Sequence, residues 1–138
     1  MPTVTVSFTP LPAHVRTARF IAASVGRRAG LSESVLDEIR LAVSEACSLA
    51  VRFHVAQAPT APVELRLIES GAQFSVQVAD AVHRPAPDRA GDLALDLEQV
   101  DLLGQERIGR AVIAGLVDDV TFEYGTAGSV VTMTWPIG

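Results

Sequence analysis

The chain is expected to fold as an α/β two-layer sandwich, with a mostly antiparallel sheet of about five strands covered on one face by about three helices. Three observations predict it. Two long segments near the start keep helical apolar spacing, and four later segments alternate with the period of strands. Short turn sequences join those strands in pairs, which favours hairpins over the crossover connections that a parallel sheet needs. A length of 138 residues suits one domain with a real core, as do 49% hydrophobic and 20% charged residues.

Val4, Val6 and Phe8 alternate with Thr3, Thr5 and Ser7, so the chain opens on a short strand that Pro10 and Pro12 interrupt. From Pro12 to Ala29 the residues Val15, Ala18, Ile21/Ala22 and Val25 recur at helical spacing, with Arg16, Arg19, Arg27 and Arg28 along the segment. The main helix spans Ser34 to His54, with Leu36, Ile39, Val43, Ala46, Leu49/Ala50 and Phe53 on one stripe. Its cap is Ser34 with Asp37, or else Ser32. Glu38, Ser44, Glu45, Ser48 and Arg52 fall largely off the stripe.

Val63, Leu65 and Leu67, then Phe74, Val76 and Val78, form two alternating runs joined by a short Gly71-containing turn, an antiparallel hairpin. The next stretch, from Asp80 to about Asp101, reads as a loop or irregular lid with an acidic tip, although Leu93, Leu95 and Leu97 alternate. A helix is expected from Ile108 to Val117, with Ile108, Ala111/Val112 and Gly115/Leu116 on its stripe. Gly109 and Gly115 weaken it by about 1 kcal/mol each relative to alanine, so they need a structural reason. Val120, Phe122 and Tyr124, a turn at Ala127-Gly128, and Val130 or Val131, Met133 and Trp135 complete a second hairpin.

Composition narrows the function. Sixteen acidic against eleven basic residues give a net charge of −5, which argues against a general nucleic-acid binder. The single cysteine, Cys47, can form neither an internal disulfide nor a multi-thiolate metal site, and reads as a small buried thiol. No run approaches the roughly 20 apolar residues of a membrane span, and no signal pattern opens the chain, so a cytoplasmic protein is expected.

In order along the chain, PAHVRTARFIAASV, LDEIRLAVSEACSLAV, a hairpin ending in VQVAD, RIGRAVIAGLVDDVTFE and GSVVTMTW resemble the anti-sigma factor serine kinases of the GHKL (Bergerat-fold) ATPase superfamily. The resemblance implies a nucleotide site, with the main helix carrying Glu-Ala-x-x-Asn: the Glu acts as base and the Asn holds Mg²⁺. Here Glu45 and Ala46 match, but Leu49 stands at the Asn position and offers no oxygen to a hard cation. The family histidine would fall at Phe53; His54, about 100° further round, is read as a rim residue.

The family's Asp-x-Gly-x-Gly motif, whose Asp meets the adenine amino group, leaves Asp80 matched, with Val82 and Arg84 in the glycine positions. Of Gly-x-Gly-Leu, which wraps phosphates, Arg107-Ile108-Gly109-Arg110 keeps only the second glycine. Gly128-Ser129 resembles the family's Gly-Thr. The resemblance thus nominates Glu45 as catalytic base in an active enzyme and Asp80, Gly109, Gly128 and Ser129 as nucleotide contacts, with no metal ligand. The plain alternatives are a solvated helix Glu and a strand-end turn Asp. Arg84, Arg107 and Arg110 either neutralise an anion in another pose or fill the emptied pocket by pairing with Glu45 or Asp80.

Losing so many groups around one nucleotide is hard to reconcile with phosphoryl transfer, which rests on positioning and charge neutralisation. The expectation is a degenerate family member that regulates transcription by binding a sigma factor, is released by an anti-anti-sigma (STAS-domain) protein and uses no cofactor; the resemblance also implies a homodimer. Arg16 and Arg19 join the other arginines as candidates for partner contact. The alternatives are an active kinase using ATP and Mg²⁺ to phosphorylate the STAS partner, and a small-molecule sensor reusing the pocket.

Overall fold

The computed structural model describes residues 2–86 and 97–138. Its elements run β1 (Thr3–Phe8), α1 (Pro12–Arg28), α2 (Glu33–Gln57), β2 (Val63–Ser70), β3 (Gln73–Ala79), α3 (Leu97–Ala114), β4 (Asp119–Gly125) and β5 (Gly128–Pro136). The strands form one sheet in the order β1-β2-β3-β5-β4, with every neighbouring pair antiparallel. The two-layer sandwich is as expected.

Alternation gives the sheet two chemically different faces. Leu65 lies opposite Val78, Leu67 opposite Val76, Val76 opposite Met133 and Phe74 opposite Trp135, and all of these are buried under the helices. Polar side chains tile the other face. Arg66 Nη1 donates to Gln77 Oε1 at 3.1 Å, Gln77 Nε2 donates to Thr132 Oγ1 at 3.3 Å, and the Ser75 and Thr134 hydroxyls meet at 3.0 Å.

Helix α2 is the spine of the helical layer, with α1 on one flank and α3 on the other. It begins at Glu33, two residues earlier than a Ser34 cap would place it, because Ser32, the other cap expected, accepts from the Val35 amide. Leu36, Ile39, Val43, Ala46 and Ala50 face the main core. Cys47 lies fully buried among them, and burial pushes its thiol up to about 12. A smaller cluster of Phe53, Val82, Leu102 and Leu103 closes the end of the core beneath the segment that follows β3.

Three sequence expectations are corrected. The loop expected up to Asp101 is helix from Leu97 onward, while Leu93 and Leu95 lie outside the described residues. The buried face of α3 is not the Ile108/Ala111/Val112 stripe, since Ile108 is 67% and Val112 44% exposed. Leu102, Leu103, Glu106, Gly109 and Ile113 face inward instead. A glycine adds nothing to an apolar count and a glutamate subtracts from it, so the true face was invisible to periodicity. Finally, His54 is not a rim residue but fully buried. Its Nδ1 donates to the Ala58 carbonyl at 3.1 Å and its Nε2 accepts from the Ala81 amide at 3.0 Å, which ties the end of α2 to the exit of β3.

Gly128 starts β5 at φ +141°, and a Cβ there would lie 2.0 Å from the Asp80 carbonyl oxygen. That close approach lets the Asp80 amide donate to the Ser129 carbonyl at 2.9 Å. Gly128→Ala is therefore expected to cost about 3 kcal/mol, from backbone strain and the clash together, measured as a lowered urea midpoint.

Candidate functional site

The register of the central strands builds the site. Ala79 pairs with Val130, so the next residue on each chain path, Asp80 and Ser129, face each other at the end of the sheet. The Asp80 carboxylate accepts from the Ser129 amide at 3.1 Å, the Ser129 hydroxyl at 2.7 Å and the Val82 amide at 3.1 Å. Its remaining partner is Arg84, whose Nη1 donates to it at 2.9 Å.

Arg84 is the centre of the arrangement. Its side chain is only 5% exposed. The guanidinium donates from Nε and Nη2 to Glu106 on α3, the shortest contact being 2.6 Å, and Nη2 also reaches the Ser129 hydroxyl at 2.9 Å. Nη1 adds the Val82 carbonyl at 3.0 Å. Its plane lies over Phe53, 3.9 Å from the ring centre, with Tyr124 at 5.5 Å on another side. Arg110 stacks over Phe122 at 4.5 Å and lines the same pocket.

The electrostatics follow from this packing. Burial acts to raise the Asp80 carboxyl, but the hydrogen bond and charge of Arg84, with Ser129 and the Val82 amide, hold it below the usual carboxylate range. Burial likewise acts against the Arg84 cation, and the two carboxylates overcome it, raising its affinity for its proton. Burial raises the Tyr124 hydroxyl, and the Glu106 charge beside it raises it further.

The second half of the site is a helix contact. Gly109 of α3 lies so close to α2 that a Cβ would come 2.4 Å from Leu49 Cδ1 and 2.9 Å from Glu45 Oε1. This is the reason for Gly109; Gly115, the other glycine expected within the helix, lies just past its end at Ala114. Leu49 is buried and Glu45 half-buried against this contact. Leu49 fills the position that the resemblance assigns to a metal ligand, with a side chain that cannot coordinate.

A nucleotide in the pose implied by the resemblance does not fit these residues. The carboxylate that would meet adenine is already saturated by Arg84, Ser129 and Val82. The space left between Ala46, Leu49, Asp80, Arg84 and Tyr124 is about 30 Å³. That holds a water or two, against the roughly 300 Å³ of even a small ligand site.

The nominated residues thus divide. Asp80, Ser129, Arg84 and Arg110 converge on one pocket, Gly128 packs against the Asp80 backbone, and Glu45 and Gly109 lie at the α2–α3 contact. Arg107 is exposed on α3 and does not line the pocket. Arg16 and Arg19 are elsewhere, on α1, in a groove shared with α2. Of the two pairings considered for Arg84, the one with Asp80 forms, but its other partner is Glu106 rather than Glu45. Glu106 went unnoticed, although its spacing to Gly109 and Ile113 places all three on one helix face.

The histidine kinase-like ATPase domain family matches residues 8–135, nearly the whole chain. The chain belongs to that family. Among solved structures, this histidine kinase-like ATPase domain is similar to the crystal structure of the RsbU and RsbW domains of Rv1364c from Mycobacterium tuberculosis. The two share 18% identity at a TM-score of 0.71 over 97% of this chain. The match spans 32%, about a third, of that longer chain. No curated protein matches the sequence.

Two predictions test the site. Because the folded Asp80 carboxyl titrates below the about 3.9 of a free aspartate, its contribution is present above that value and lost as the pH falls through the folded one. Urea unfolding between about pH 6 and about pH 3 should show a falling stability, with a shallower slope for Asp80→Asn. Gly109→Ala should cost about 1 kcal/mol, overpacking outweighing helix propensity, yet become neutral or stabilising in a Leu49→Ala background, where only the movable end of Glu45 remains in the way.

Proposed function

We propose that this histidine kinase-like ATPase domain is a cytoplasmic regulator of bacterial transcription of the anti-sigma type, acting by protein binding without nucleotide turnover. The observation that carries this reading is Arg84, whose guanidinium takes up the Asp80 carboxylate on which adenine recognition depends in the family the sequence resembles. Leu49 at the metal position supports it. The RsbW domain in the similar solved structure supports the regulatory class.

The partners in this reading are a sigma factor and an anti-anti-sigma STAS-domain protein. The α1–α2 groove is the surface best suited to one of them. It carries Arg16 and Arg19, with Arg27 paired to Glu33 and Arg40 to Asp37, around Phe20 and Leu41, which are 71% and 59% exposed, so the arginines outnumber the acids. A cationic, apolar-centred groove on a chain of net charge −5 favours an acidic segment with an apolar side. A homodimer would place two such grooves in one assembly.

Titration calorimetry of the unaltered protein with ATP, with and without Mg²⁺, should give no binding heat at millimolar nucleotide. Co-purification should recover a sigma factor, and Arg19→Glu should weaken that complex by about tenfold or more, chiefly at low salt. Tight Mg²⁺-dependent ATP binding, with phosphate transfer to a STAS-domain serine, would overturn the reading in favour of an active kinase.

A further inference from the structure

The pocket is specific in what it holds. A guanidinium has five N–H bonds, and each of the five in Arg84 has an acceptor: Glu106 for Nε, Asp80 and the Val82 carbonyl for Nη1, Glu106 and the Ser129 hydroxyl for Nη2. Two carboxylates on different elements lie in reach of one planar cation, and the Phe53 ring supplies a flat apolar floor 3.9 Å from its central carbon. An ammonium could use at most three of these acceptors and would gain little from stacking. Adenine could give its amino group to one carboxylate, but the lone pairs of its ring nitrogens find no donor in Asp80 or Glu106.

We infer that the pocket has become a guanidinium-binding cage built from Asp80, Glu106, Val82, Ser129 and Phe53, occupied in cis by Arg84. The cage is distinct from an incidental ion pair, because its acceptors come from the exit of β3, the start of β5 and the inner face of α3, and its floor from α2. Its ligand is therefore what holds these four elements together at one end of the domain. The inference does not depend on the regulatory reading: ATP binding by the unaltered chain would sink that reading alone.

The test is chemical rescue of Arg84→Ala. That substitution leaves the Cβ and removes a fragment whose free equivalent is N-ethylguanidinium. Thermal unfolding of the variant should fall well below that of the unaltered chain. Millimolar N-ethylguanidinium should then raise it by about 4 °C or more, because a ligand that binds only the folded state stabilises by mass action. The unaltered protein, whose cage is full, should show no rise. Ethylammonium and sodium at the same concentration should not substitute. Rescue should vanish in Arg84→Ala combined with Asp80→Asn.

Should Arg84→Ala fail to fold alone, the same comparison is read as recovery of folded protein on dilution from urea with each cation. Arg84→Lys, which keeps a charge but not the plane, should fold and melt below the unaltered chain. The cage is refuted by equal effects of ethylammonium and N-ethylguanidinium, by no rescue from any cation, or by adenosine stabilising Arg84→Ala more than N-ethylguanidinium does.

Discussion

One buried cation governs the end of the domain where the pocket lies. A guanidinium that is 5% exposed has lost its water, and its retention requires acceptors for every N–H and enough negative charge to offset desolvation. Asp80 and Glu106 provide the charge, Ser129 and the Val82 carbonyl the remaining acceptors. Removing Arg84 would strand two carboxylates in a low-dielectric site, and breaking a buried pair typically costs about 3–5 kcal/mol. Everything nearby is therefore constrained: the position of β5 against β3, the rotation of α3 about its axis, and the path of the chain after Asp80.

The same constraint explains why α3 turns an unexpected face inward. For Glu106 to meet Arg84, Gly109 and Ile113 must also face α2, since residues three and seven apart share a side of the helix. Gly109 then permits the close approach, and Leu49 supplies the apolar mass that fills the gap. Ile108 and Val112 are left outside. The Arg84–Glu106 pair and the burial of Leu102, Leu103 and Ile113 on the same face together set the orientation of α3.

Most of the architecture was legible because it rests on strong periods. The strand of Leu65 and Leu67, the helix of Ile39, Val43 and Ala46, and the two hairpins each repeat a simple pattern over several residues. What stayed hidden depends on partners distant in sequence. His54 follows an apolar residue at the end of a helix, and nothing local shows that Ala81 will present an amide to it. Asp80, Gly128 and Ser129 could be nominated from resemblance, but the guanidinium that satisfies Asp80 comes with a glutamate 22 residues further on. No one-dimensional count joins those two.

The tight seat of Leu49 against Gly109 has an evolutionary meaning. A chain given asparagine at position 49 would bury an amide at a contact shaped for a methyl group, while Arg84 still held the Asp80 carboxylate. One that lost Arg84 first would leave two buried carboxylates facing an empty space. Under the proposed reading, each single substitution towards the motif residues of the resembled family begins with a step that weakens the fold. The filled pocket acts in that sense as a ratchet: further substitutions can elaborate it, but single ones do not lead out of it.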